Sequence, residues 1–344
     1  MTQHSETIRW GIVGVGRFGR IHAKALHGMR GVEVVAICNR NAEKLASASV
    51  DLAVEATFAD YRELLADRSL DAVSITTHWQ DHHEIALAAL AAGKHVLLEK
   101  PMAASTEECL RVVDAARAAS GKFMVAHICR FDPRVTLAKR AIDEGRIGRV
   151  VSMHAKRNLP KAPGWLRLDK TSPLMGDGVH DADLMMWLSG RVPTRVYSRY
   201  VRFGDFKYPE VGWAMLEFGN DAVGVVETNW GLPENTPTVI DAKLEVVGTD
   251  GMLTIDCSAT GLTVLDSRGP KMQDTDYWPE QNGYLVGVIH NELSYFVDCI
   301  RKDQQPNVII PEEAARAVSV METAEQSAES GQPVEFRDPC AAVG

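Results

Sequence analysis

Lys100, followed at once by Pro101, and His180, in the run Gly176-Asp177-Gly178-Val179-His180-Asp181-Ala182-Asp183, are the side chains whose chemistry stands out in this sequence. A lysine at a strand end, with a proline fixing the turn after it, could hydrogen-bond a substrate hydroxyl and stabilise the alkoxide that develops there. An imidazole titrates near working pH and could take the proton that such a hydroxyl must lose. Taken singly, each residue also has a plainer reading: Lys100 as a surface lysine, His180 as a capped or core histidine. Asp177 either reaches a substrate or caps the helix expected from residue 179. Asp181 either orients the site or is an exposed helix carboxylate.

A third group gives these residues a context. Gly14-Val15-Gly16-Arg17-Phe18-Gly19 has G-x-G-x-x-G spacing, between an apolar run at 8–13 and a helical stretch at 20–29. In that setting the first glycine permits the tight turn, the second admits a pyrophosphate close to the backbone, and the third packs helix on strand. The phosphates would sit at a helix N-terminus, where free N–H groups and the dipole favour negative charge.

The elements that must position these groups follow in alternation. Strands are expected at 32–37, 71–76, 95–98 and 123–126, and helices at 61–67, 82–92 and 105–119. Such repetition predicts a parallel sheet covered on both faces, with ligands beyond the carboxyl ends of its strands. Two loops leave those ends: Thr76-Thr77-His78-Trp79 and Glu99-Lys100-Pro101. The expected cofactor contacts are therefore Gly14, Gly16, Arg17, Phe18, Gly19, Asn39, Arg40, Thr76, Thr77, His78, Trp79, His82, Glu99, Lys100 and Arg130. Asn39-Arg40 stands where an acidic residue would bind the ribose of NAD. Its neutral side chain and following guanidinium favour NADP over NAD, by pairing with a 2′-phosphate. His78, His82 and His83 lack a Cys or carboxylate set to complete a metal site, and no metal is expected.

Beyond residue 127 the pattern changes to successive strands, near 149–157, 195–202, 212–218, 222–230, 242–247, 252–256 and 262–265, with closing helices at 283–301 and 311–330. This predicts an α+β domain on a large, mainly antiparallel open sheet, so that the chain divides as 1–127 and 128–344, the C-terminal helix being free to return to the first domain. One face of such a sheet commonly meets another subunit, and a homodimer or homotetramer is expected. Residues 159–176 read as a long loop carrying Lys161, Trp165, Arg167 and Lys170. It is either a substrate-binding lid or a plain surface excursion. Residues 184–188 read as part of an amphipathic helix carrying His180.

A net charge of −9 argues against a nucleic-acid partner, and no apolar run is long enough to span a membrane. Six scattered cysteines without a C-x-x-C pair suit reduced thiols, and a cytoplasmic protein is expected.

Taken together, the glycine motif, Glu99-Lys100-Pro101, the helix and strand at 84–96, Arg130-Phe131-Asp132-Pro133, Gly145-Arg146-Ile147-Gly148 and residues 245–251 resemble the glucose-fructose oxidoreductase/inositol dehydrogenase/rhizopine-catabolism (Gfo/Idh/MocA) family. The resemblance implies a Rossmann domain joined to the open-sheet domain. It also implies NAD(P)-dependent redox chemistry at a secondary hydroxyl of a sugar, sugar derivative or cyclitol. His180 matches the family's catalytic histidine, Lys100 its hydroxyl-polarising lysine, and Arg157, Trp165, Asp177 and His180 are placed with the substrate. Two departures stand out. Inositol-dehydrogenase-like members carry an Asp four residues before the histidine, where this chain has Gly176. Relatives commonly have Thr-Pro-Asn where this chain has Thr77-His78-Trp79. The alternatives are an NAD-cycling glycosidase or eliminase of the same fold, and a non-catalytic dinucleotide-binding regulator.

Overall fold

The computed structural model describes residues 7–258, 261–267 and 269–341. The chain opens with β1 (Ile8–Val13), α1 (Arg17–His27), β2 (Val32–Cys38), α2 (Ala42–Leu52), β3 (Ala56–Phe58), α3 (Tyr61–Leu65), β4 (Ala72–Ile75), α4 (His82–Ala91), β5 (His95–Glu99), α5 (Thr106–Ala118) and β6 (Phe123–Ala126). Then come α6 (Pro133–Asp143), β7 (Val150–Pro160), α7 (Lys161–Trp165), α8 (Val179–Ser189), β8 (Arg195–Val201), β9 (Val211–Glu217), β10 (Val223–Leu232), β11 (Asp241–Gly248) and β12 (Met252–Asp256). Two hairpins, β13 (Thr263–Asp266) with β14 (Gly269–Met272) and β15 (Glu280–Gln281) with β16 (Tyr284–Leu285), lead to α9 (Val288–Arg301), α10 (Pro311–Ser330) and β17 (Val334–Glu335).

These elements form two compact units, one of Met1–Phe131 with Tyr277–Ala315, the other of Asp132–Asp276 with Arg316–Gly344. Residues 277–315, reckoned from sequence with the second domain, therefore pack with the first.

In the first unit six parallel strands run β3-β2-β1-β4-β5-β6. Strands β4 and β6 are buried along their whole length, as expected of short apolar runs covered on both faces. The order reverses between β1 and β4, so their carboxyl ends diverge and leave a crevice. From the later segment α9 packs on α1, and Phe296 meets Trp10 edge-on at 5.9 Å.

The second unit is built on seven strands in the order β12-β11-β7-β10-β9-β8-β17. Only β7 and β10 pair in parallel; the remaining pairs are antiparallel. Burial alternates along β9 and along β10 as far as Trp230, which marks one inward and one outward face.

The helix α2 and strand β3 fill the 39–60 stretch, for which the pattern predicts no element. Three expectations are corrected in detail. The closing helix begins at Val288, because 280–285 is spent on a hairpin. The long loop is mostly structured: β7 runs on to Pro160, α7 follows, and a π-helical turn spans Leu174–Gly178. Finally, α8 is not amphipathic, since nine of its residues from Val179 to Leu188 are buried. A helix that is apolar on all sides belongs in a core, and its polar members then need partners there.

Candidate active site

The glycine turn between β1 and α1 forms a cradle with the end of β4. Gly14 has φ +97°, and a Cβ there would lie 2.7 Å from Thr77 N. A Cβ on Gly19 would lie 2.0 Å from Gly14 O, so helix and turn touch without room for a side chain. Gly16 is different, with nothing within 4 Å of its Cβ position. The backbone is therefore bare where a pyrophosphate would approach. Thr76 Oγ1 donates to Gly14 O at 2.5 Å and locks the two loops together. No acidic residue occupies the first turn of α1, and no side chain caps it, which leaves its N–H groups and dipole available to an anion.

A cavity of about 540 Å³ continues from Gly14 and Gly16 to Asn39, Arg40, Thr76 and Thr77. Its lining adds Asp60, Tyr61 and Arg62, which belong to no sequence motif. The Arg62 guanidinium lies 4.5 Å over the Tyr61 ring, and Tyr61 OH donates to Glu84 Oε1 at 2.8 Å. Burial, then the Glu84 bond, pushes the phenol up to about 12, so it stays an O–H donor. Arg40 Nη2 donates to Asp81 Oδ2 at 2.5 Å, while 80% of its side chain remains exposed. Arg17 and Phe18 meet Trp278, the guanidinium 5.6 Å from the ring centre and the Phe18 ring edge-on at 5.6 Å. Trp278 lies 260 positions away in the chain, beyond the reach of local patterns.

Other expected contacts have different surroundings. His82 is enclosed: Nδ1 lies 2.8 Å from Pro101 O and Nε2 3.3 Å from Thr77 O. It sits between the two crevice loops instead of presenting its ring to a ligand; burial holds it below the usual histidine range, and the single N–H of the neutral ring donates to the nearer carbonyl, Pro101 O. Arg130 is 2% exposed and donates to Val308 O and Glu313 Oε2, both at 2.8 Å. His78 pairs with Gln80. Trp79 Nε1 is buried and bonded to no group among the described residues. Glu99, at the end of β5, accepts from the Lys100 backbone N–H at 3.1 Å. Among the described residues no group of three His, Cys, Asp or Glu is placed to hold a metal ion.

In the second unit His180 stands in the first turn of α8, 7% exposed, directly after the π-helical turn. Such turns interrupt the regular ladder and aim side chains in directions an α-helix does not offer. Asp177 neither caps α8 nor lies in the open: its Oδ2 accepts from Trp230 Nε1 at 2.8 Å and is 3.7 Å from Arg167. The Trp230 ring explains Gly176, because a Cβ there would be 2.6 Å from the indole.

Arg157, at the inner end of β7, makes a fork with Asp181: Nη2 donates to Oδ1 at 2.8 Å and Nε reaches both oxygens at 3.3 Å. Both are buried, so the pair anchors the first turn of α8 to the sheet. Trp165 packs on Phe206 at 5.1 Å beside the Leu159–Leu168–Trp230 cluster, with the Lys161 ammonium 5.1 Å over its face.

A parallel sheet whose strand order reverses beside a bare glycine cradle defines a dinucleotide-dependent α/β protein, here with a lysine at a neighbouring strand end. The chain belongs to the Gfo/Idh/MocA family: the oxidoreductase model with an NAD-binding Rossmann fold matches residues 8–127, and the family's C-terminal domain matches 135–254. It is 30% identical to inositol 2-dehydrogenase 2 of Saccharopolyspora erythraea over 85% of this chain and 84% of that one. It is 27% identical to the scyllo-inositol 2-dehydrogenase (NAD(+)) of Bacillus subtilis over 96% of both. The fold is shared with scyllo-inositol dehydrogenase from Lactobacillus casei, solved with NAD(H) and scyllo-inositol, at a TM-score of 0.82 and 23% identity, covering 96% of this chain and 99% of that one.

Proposed function

We propose that this protein transfers a hydride between a nicotinamide cofactor and a secondary hydroxyl or keto group of a sugar, sugar derivative or cyclitol. The observation that carries the proposal is the bare backbone at Gly16 on the same sheet edge from which Lys100 departs at the end of β5. The dinucleotide, when bound, supplies the hydride acceptor; the protein supplies geometry and electrostatics. Lys100 donates a hydrogen bond to the hydroxyl oxygen and stabilises negative charge as it develops. His180 takes the hydroxyl proton and returns it in the reverse direction. Asp177 supports this site through Trp230.

The named inositol dehydrogenases favour a cyclitol. Gly176 and Trp230 favour a different polyol, because the resemblance leads one to expect a carboxylate at 176 and the indole leaves no room for a side chain there. A cofactor-cycling eliminase or glycosidase would use the same groups, and a regulator would need neither Lys100 nor His180. For the cofactor, Arg40 favours NADP, since its exposed guanidinium can exchange Asp81 for a 2′-phosphate. We further propose a cytoplasmic homodimer or homotetramer. Six scattered, buried cysteines without a C-x-x-C pair suit a reducing compartment, and sedimentation should give two or four times the chain mass.

The test is reduced-nicotinamide absorbance with NAD or NADP against cyclitols, sugars and sugar acids. Growth of the signal with one compound identifies cofactor and substrate class together. His180→Ala should then lower kcat by about a hundredfold or more. Turnover at the unaltered rate would remove His180 from its role, and substrate breakdown without net reduction would support the cycling reading.

A further inference from the structure

Behind the cradle, four buried side chains from four elements form a chain of hydrogen bonds that the reaction does not use. Trp10 on β1, Ser74 on β4 and His22 on α1 are fully buried, and Glu99 at the end of β5 is 8% exposed. Trp10 Nε1 donates to Ser74 Oγ at 3.0 Å, Ser74 Oγ lies 3.2 Å from His22 Nδ1, and His22 Nε2 lies 3.2 Å from Glu99 Oε1. The other carboxylate oxygen, Oε2, accepts the Lys100 backbone N–H.

The chemistry of the groups sets the direction of the two outer bonds. An indole N–H only donates and an ionised carboxylate only accepts. Trp10 therefore donates to Ser74 Oγ, and His22 carries a proton on Nε2, toward Glu99, with Nδ1 facing the Ser74 hydroxyl. Burial alone would push the Glu99 carboxyl up; the His22 hydrogen bond, then electrostatic attraction to the His22 ring and the Lys100 ammonium, hold it below the usual carboxylate range. Glu292 on α9 shows the contrast. It is fully buried, neither oxygen has a hydrogen-bond partner among the described residues, and burial followed by the Glu99 charge drives it toward the neutral acid. Of two neighbouring carboxyls the one with donors keeps the charge.

We infer that His22 is a positioning residue for Lys100: it holds Glu99 in place, and Glu99 fixes the point at which the Lys100 backbone leaves the sheet. His22 stands one turn after Gly19, on the helix whose N-terminus forms the cradle. One rigid helix thus carries both the phosphate-facing backbone and the anchor of the lysine loop. On the far side of Lys100, His82 holds the carbonyl of Pro101. The functional consequence rests on the role proposed for Lys100; the structural link does not.

Two replacements separate the bonds of His22. In His22→Asn the amide can take the place of Nδ1, keeping Ser74 but losing Glu99. In His22→Gln it can reach the place of Nε2, keeping Glu99. Hydrogen exchange, which needs no substrate, is read first. His22→Asn should speed exchange of the Lys100 amide by about tenfold while β1 and β4 stay protected, and His22→Gln should leave it close to wild type. Equal loosening of all three strands, or no change at Lys100, would overturn the inference. If His22→Asn does not fold, Ser74→Ala, which frees the ring at its other end, should loosen the same amide selectively. Kinetics then read the consequence. His22→Asn should lower kcat by about tenfold to a hundredfold with the dinucleotide Kd within about twofold, and should cost less than about twofold in a Lys100→Met background. Additive losses would overturn the inference. Lys100→Met turning over at the wild-type rate would instead remove the role proposed for Lys100 and leave the exchange result standing.

Discussion

Asp177 and Glu292 are both buried carboxyls, and their partners set opposite expectations. Asp177 accepts the Trp230 indole N–H. Asparagine at 177 can still accept through its amide oxygen, whereas alanine cannot. We therefore expect Asp177→Asn to keep kcat within about threefold and Asp177→Ala to lose about tenfold or more with a lower Tm. A loss of about a hundredfold in Asp177→Asn would make the carboxylate itself part of the chemistry. Glu292 has no such donor among the described residues. Its folded value is raised above the unfolded one, so the folded state binds the extra proton. The stability this proton provides is complete below the ordinary carboxyl value of about 4.3 and is lost as pH rises through the folded value. Glu292→Gln removes the titration, and any cost of its buried amide does not vary with pH. The Tm of the variant relative to wild type should therefore rise between about pH 5 and about pH 8. A constant difference would contradict the assignment. Lys100 and the glycines could be read from sequence because their role lies in local spacing. The partner of Asp177 could not, because it lies 53 residues away.

At the scale of elements, the arrangement around α8 was the least legible part. Its composition suggested one apolar face, yet the helix is enclosed, and the π-helical turn before it contains Gly176, where a Cβ would meet the Trp230 ring. The sequence showed Asp181 and Arg157 without showing that they meet across 24 residues. Their ion pair is what allows a buried helix start to carry a carboxylate. Removing the guanidinium leaves Asp181 in the interior without it, a change that costs about 3–5 kcal/mol. We expect Arg157→Met to lower stability on that scale by denaturant unfolding. Adding Asp181→Leu should recover most of the loss, since an apolar pair of similar volume is tolerated. A single variant as stable as wild type would mean that α8 is held by packing alone. The Rossmann strands, by contrast, were legible because each is a short apolar run, covered on both faces and bounded by turn residues.

For the molecule as a whole, the division at 127 placed a boundary where the strand pattern changes, and that pattern is all that local reading can detect. Packing of 277–315 depends on contacts made far along the chain. Trp10 is fully buried and meets Phe296 edge-on, Gly28 receives the ring of Tyr284, and Arg130 is bonded to Val308 and Glu313. A fragment ending at residue 127 would uncover one face of α1 and expose the apolar surface that α9 now covers. At about 25 cal/mol for each Å² of apolar surface, exposing a few hundred Å² would cost most of a small domain's stability. We therefore expect residues 1–127 alone to show no cooperative thermal transition. Residues 1–131 joined by a flexible linker to 277–315 should unfold cooperatively and should be stabilised by NAD or NADP in proportion to RT ln(1 + [L]/Kd). A cooperative, dinucleotide-stabilised transition in the shorter fragment would show that the returning segment is dispensable, and with it the support it gives the helix that carries His22.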